Sequence, residues 1–217
     1  MNKILALFSA LLILAFAGCG SDKPEENTID KEKEPVKTET TSQEGDEASL
    51  YEEKIMFTIE MVDGGVMKGE LYPKLAPETV ENFVALCDEN FYDGLIFHRV
   101  IEGFMIQGGG YTETMEERPT DSIKGEFESN GFKNPLKHER GVLSMARTSV
   151  PDSASSQFFI MHDKAPHLDG EYAAFGRVTE GLDIIDEIAT VETTVFQNVM
   201  GDFPVEPQVI KTIRIEK

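Results

Sequence analysis

Residues 97–109 read FHRVIEGFMIQGG. Phe97, Val100, Ile101, Phe104, Met105 and Ile106 are the residue types of a core, yet His98, Arg99 and Gln107 run through them. A polar group taken out of water costs free energy unless a partner meets it, so the stretch demands a reason. Successive side chains of a strand face opposite ways. By that alternation His98 points away from Arg99 and reads as structural.

The neighbouring sequence has the same grain. Ile55, Phe57 and Ile59 alternate with Met56, Thr58 and Glu60, which predicts a strand over 54–61. Asp63-Gly64-Gly65 is a hairpin signal, and Val66 to Leu71 is the return strand. Ala76-Pro77-Glu78-Thr79 opens a helix, with proline and an acid in its first turn, and Val80, Phe83, Val84 and Cys87 mark its buried face. Short apolar runs follow at 94–100, 104–107, 141–146, 156–161 and 173–178, separated by glycines and turn residues. That spacing points to a closed antiparallel sheet rather than to alternating strands and helices. A second helix fits Leu182 to Ile188, and the last strand fits Val209 to Ile215. A strand at each end of the segment invites closure of a barrel. Gly108-Gly109-Gly110 lacks the following lysine and helix of a phosphate loop and reads as a tight bend leaving a strand.

The first 53 residues of the 217 have a different character. After Lys3, the apolar run from Ile4 to Phe16 is too short to span a bilayer, so residues 1–18 read as a signal peptide. It ends in Phe16-Ala17-Gly18-Cys19. Small residues before a cysteine resemble the lipobox of bacterial lipoproteins, which implies that Cys19 is acylated and becomes the N-terminus. Phe16 stands where that pattern prefers leucine, and the alternative is an ordinary secretory signal with an incidental cysteine. Residues 20–53 hold 12 acids and 4 lysines, with Tyr51 the only aromatic. Residues 19–53 are therefore expected to be a lipidated cysteine followed by a disordered acidic tether, about 30 Å or more across as a coil. Cys87 is then left without a disulfide partner and reads as a small buried hydrophobe.

Residues 54–217 carry 28 acids against 15 basic residues. Nucleic acid is set aside as a partner, since phosphates would be repelled. His98, His138, His162 and His167 show no metal-ligand spacing, so neither metal nor other cofactor is expected. Ser155 and Ser156 near His162 lack the nucleophile-elbow pattern of acyl transfer.

Three segments stand out together: FHRVIEGFMIQGG, GVLSMARTSVPDSASSQFFIMH from Gly141 to His162, and HLDGEYAAFGRV from His167 to Val178. They resemble the cyclophilin family of peptidyl-prolyl cis-trans isomerases across essentially all of residues 54–217, and IKGEF, NGFKN and LKHERGVLSMAR are similar to its bacterial branch. The resemblance implies a mainly β fold, a closed eight-stranded antiparallel β-barrel capped by two α-helices. It implies that Phe104, Met105, Phe159 and Leu168 grip a proline ring and that Arg99 and Gln107 are catalytic, Gln107 orienting Arg99. Ala146, Arg147 and Gln157 would line the neighbouring peptide groove, with Tyr172 as a pocket wall. Arg99 is the only charged group of the proline pocket so read.

Three positions depart from the family pattern. Arg147 replaces an asparagine of many eukaryotic members, Tyr172 stands where many have histidine, and His167 stands where cyclosporin-sensitive members have tryptophan. Weak cyclosporin binding is therefore expected. The function implied is isomerisation of X-Pro bonds in proteins folding outside a bacterial cytoplasmic membrane, by an enzyme anchored there through Cys19. The alternative is a binding module that holds proline-containing partners with little turnover.

Overall fold

A computed structural model describes residues 48–197 and 200–216; the signal peptide, Cys19 and the tether up to residue 47 lie outside the described residues. The alternating stretch forms β1 (Ile55–Met61), with Phe57 and Ile59 fully buried, and it returns as β2 (Val66–Leu71) after a turn in which Gly64 holds φ at +100°. Six further strands complete a closed antiparallel barrel: β3 (Leu95–Ile101), β4 (Met105–Thr112), β5 (Val142–Met145), β6 (Phe158–Met161), β7 (Ala174–Glu180) and β10 (Gln208–Ile215). Around the barrel the order is β1, β10, β3, β4, β6, β5, β7, β2. This is the eight-stranded closed sheet expected, and closure leaves no strand edge unpaired.

Two helices pack into the same core. α1 (Pro77–Asp88) buries Val80, Phe83, Leu86 and Cys87, and α2 (Leu182–Ala189) buries Ile185, Ile188 and Ala189. Ala76, at the N-terminus of α1, supplies no side-chain cap. The buried carboxylate of Glu126 does so from a distant loop, accepting the N–H of Glu78 at 3.1 Å and of Thr79 at 2.8 Å. Inside the barrel, Phe83, Tyr92 and Phe158 meet edge to face or tilted, with centroids 5.2–5.5 Å apart. Cys87 is buried there, and that burial pushes its thiol far above the ordinary value, so it is a packing residue.

Four features differ from the sequence reading. The three glycines do not leave a strand: Gly108, Gly109 and Gly110 lie within β4. The reason is close approach. A Cβ on Gly108 would stand 2.8 Å from the carbonyl oxygen of Ile96, and one on Gly110 would stand 2.6 Å from Cγ of Gln157. Second, β3 is bulged at His98, because Phe97 pairs with Gly108 and Arg99 with Gln107, so two residues of β3 face one of β4. Third, β8 (Thr193–Phe196) and β9 (Met200–Pro204) form a separate hairpin outside the barrel, and β9 lies against β3. Fourth, the packed body begins before Lys54: Leu50 and Tyr51 lie on the domain, with the Tyr51 and Tyr72 rings edge to face at 5.2 Å.

Candidate active site

The barrel wall has two apolar sides. Along β4 and β6, Ile106, Phe158 and Ile160 belong to the interior core. Met105, Phe159 and Met161 belong to a second cluster with Leu168, with Phe104, Ala146 and Tyr172 packed against it. This is strand alternation with an apolar layer on each face, and it explains the opening stretch. Arg99 and Gln107 accompany the second layer and border an open cleft instead of interrupting the core.

That cleft has a volume of about 220 Å³ and is lined by Arg99, Phe104, Met105, Gln107, Ala146, Arg147, Phe159, Leu168 and Tyr172. Met105, Phe159 and Leu168 are nearly fully buried, and the ring of Phe159 meets that of Tyr172 edge to face at 5.8 Å. Gln157 lines an adjoining cavity that shares Gln107, Ala146 and Arg147 with the first and adds Glu117 and Ser153. All ten residues named from the sequence thus fall on two connected clefts of one barrel face.

Two local expectations are corrected. Gln107 is Arg99's backbone partner across β3 and β4, but among the described residues its side chain accepts no hydrogen bond from the Arg99 guanidinium, and its amide N–H donates to Oε1 of Gln157 at 3.1 Å. Arg99 is also not the only charged group of the pocket. The Arg147 guanidinium lies 4.6 Å above the Tyr172 ring and 4.8 Å above the Phe127 ring. It donates to the carbonyl oxygen of Glu171 through Nε and Nη2, and to that of Thr148 through Nη1. Its donors are committed to the chain, so Arg147 braces the Tyr172 wall. Arg99 differs: among the described residues no hydrogen bond occupies its guanidinium and Asp202 is its one ionic neighbour, with Nε 3.5 Å from Oδ2.

Behind the pocket stands a buried polar chain that sequence reading passed over. His138 places Nδ1 3.1 Å from Oδ1 of Asp169 and Nε2 3.0 Å from Oγ of Ser144. Burial outweighs the pull of Asp169 and lowers the His138 pKa, so the ring is neutral at pH 7 and the Asp169 contact is a hydrogen bond. The order of groups looks like an acyl-transfer triad, but Ser144 is wholly buried and reaches no substrate. The His138 ring instead stacks on Phe159, centroids 6.0 Å apart and planes at 19°, and fixes that ring from behind. His167 stacks on Phe104 at 5.7 Å beside Leu168. His98 sits in the bulge with its ring against Tyr111, and its Nδ1 finds no partner among the described residues. Among those residues no group of three or more His, Cys, Asp or Glu side chains is arranged to hold a metal ion.

The family model for cyclophilin type peptidyl-prolyl cis-trans isomerases matches residues 56–215. A peptidyl-prolyl cis-trans isomerase of Acinetobacter baylyi is 46% identical over 161 residues, covering 70% of this chain and 81% of that one. Peptidyl-prolyl cis-trans isomerase B of Bacillus subtilis is 50% identical over 121 residues, covering 56% and 81%. A Cryptosporidium parvum cyclophilin type isomerase, solved in the presence of the dipeptide Ala-Pro, superposes with a TM-score of 0.61 at 30% identity, covering 75% of this chain and 99% of that one.

Proposed function

The chain belongs to the cyclophilin-type peptidyl-prolyl cis-trans isomerases, and from that premise we propose that it turns X-Pro bonds of exported proteins by holding the twisted prolyl amide between Arg99 and an apolar pocket. The reaction makes and breaks no bond to carbon. Its barrier of about 20 kcal/mol is the loss of amide resonance as the C–N bond rotates. A catalyst need only favour the twisted amide over both planar forms.

One observation carries the reading: a guanidinium without a hydrogen bond among the described residues stands at the rim of a cleft floored by Met105, Phe159 and Leu168. The cleft is sized for a proline ring and its closest neighbours, and the relative solved with Ala-Pro supports a proline peptide as its occupant. With the ring held there, a donor from Arg99 toward the prolyl nitrogen or the proline carbonyl binds the twisted form better than either planar one. A charge-assisted hydrogen bond contributes about 1.5–3 kcal/mol, or roughly one to two powers of ten in rate. The rest falls to the pocket, which excludes water around that bond and fixes one end of the peptide. Gln107 and Gln157, tied to each other, present amide groups to the substrate backbone on the groove side.

Export rests on the apolar run from Ile4 to Phe16 and on Ala17-Gly18-Cys19, which support a lipid anchor on Cys19 at the outer side of a bacterial membrane. The test of the catalytic reading is a coupled isomerisation assay on a short X-Pro peptide. Wild type accelerates exchange, and Arg99→Ala keeps its fold while losing about one to two powers of ten in kcat/KM. Full activity in a folded Arg99→Ala protein would refute the role of Arg99.

A further inference from the structure

The β8–β9 hairpin brings a carboxylate to the guanidinium of the pocket. Asp202 lies in β9, and its Oδ2 stands 3.5 Å from Nε of Arg99, with the two side chains 46% and 38% exposed. Three observations make this more than a chance surface pair. Asp202 holds a left-handed backbone, φ +58°, which costs energy for any residue with a Cβ and is tolerated best by Asn and Asp. The hairpin carrying it is braced internally, for Phe203 is buried and its ring packs on Phe196 of β8 at 4.9 Å. β9 rests on β3, the strand whose bulge at His98 directs Arg99 to the cleft. The contact falls on Nε, while the terminal nitrogens of Arg99 keep no hydrogen bond within the described residues.

We propose that Asp202 is a positioning residue for the isomerisation: it holds the Nε side of Arg99 so that the terminal nitrogens remain directed at the bound prolyl amide. The inference rests on the proposed role of Arg99. A free arginine side chain populates many rotamers, and only a fraction of them place a donor at the twisted nitrogen or the proline carbonyl. An ion pair on the inner nitrogen narrows that set without consuming the outer donors. Such a contact between half-exposed groups is weak and screened by salt, which sets both the size and the signature of the effect.

Asp202→Asn keeps the size of the side chain and its tolerance of positive φ, while Asp202→Gly removes the side chain and favours the same backbone. At low salt both variants of the full chain are expected to lower turnover at saturating proline peptide about threefold to fivefold, with peptide affinity unchanged. Wild-type turnover should fall toward theirs as sodium chloride is raised, while theirs stays level. In an Arg99→Ala background neither substitution should cause a further loss. Wild-type turnover in Asp202→Asn at low salt overturns the proposal, as does an equal loss in the Arg99→Ala background, which would mark Asp202 as a fold residue only. Faster turnover in Asp202→Asn overturns it too, since the carboxylate would then compete with substrate. Arg99→Ala at full rate would be a different failure, that of the catalytic reading itself.

Discussion

His167 is the side chain expected to change a ligand preference without touching the chemistry. Its imidazole stacks on Phe104 at the edge of the cleft, whereas Met105, Phe159 and Leu168 make the floor. In the family, cyclosporin sensitivity goes with a tryptophan at this place. A smaller ring forfeits part of an aromatic contact, about 0.5–1.5 kcal/mol, and an indole hydrogen bond, about 1 kcal/mol. Weak inhibition is the expected result, one to two powers of ten short of a sensitive enzyme, while small proline peptides are little affected. An inhibition titration on wild type and His167→Trp checks this. Stoichiometric inhibition of wild type, or no gain in His167→Trp, would contradict it. At this scale the sequence was most legible, because the pocket residues lie in three short strings, and nine of the ten line one cleft. The partners of those residues were not legible. The pairing of Gln107 with Gln157 spans 50 positions, and the ring under Phe159 comes from His138, 21 residues upstream in a different run.

Among the elements, β3 is the one whose irregularity matters most. Its bulge puts His98 in a buried place beside Tyr111 and the cationic Arg99, and burial first, with that positive charge second, lowers the His98 pKa from 6.5 to about 4. The folded chain therefore holds this ring neutral where the unfolded chain would already have protonated it. Between pH 6.5 and about 4 the unfolded state binds more protons, so stability falls as pH falls; the contribution is complete above 6.5. At 1.36 kcal/mol per unit it reaches at most roughly 3 kcal/mol, with His138 adding a loss of the same sign. Urea unfolding at pH 7.5 and 4.5 should show a clearly smaller loss in His98→Phe than in wild type, and equal losses would contradict the assignment. Neither the bulge nor β8 and β9 could be read from the chain alone. A bulge is a relation between two strands, and Thr193–Phe196 is exposed at three of its four positions, so it carries no alternating signal. The strands with one side in the core, β1 and β10 above all, were legible because burial imposes period two on their sequence.

For the whole molecule, the sequence sets the isomerase domain apart from the 53 residues before it, which differ in composition. The acidic stretch from Gly20 is expected to have too little apolar content to fold, but among the described residues Leu50 and Tyr51 already pack on the domain, a few residues before the change in composition suggests. Tyr51 had the right chemistry to signal this, as the only aromatic of that stretch, but its partner Tyr72 lies on the far side of a hairpin. A chain with two acyl groups on Cys19 stays on a membrane, at about 0.8 kcal/mol for each buried methylene, whereas a single chain exchanges readily. A fatty-acid analogue fed to expressing cells should label the wild type, and Cys19→Ser should lose the label and leave the membrane fraction. Label retained by Cys19→Ser would refute the anchor.

The proposed role of Arg99 is to act on the twisted amide and not on the bound ground state. Magnetic exchange spectroscopy on a saturated Ala-Pro peptide separates the two, since it reads bound-state interconversion and affinity independently. Arg99→Ala should slow interconversion by about one to two powers of ten while the dissociation constant changes less than about threefold. Unchanged interconversion with weakened binding would contradict it, for Arg99 would then be a substrate clamp and the pocket alone the catalyst.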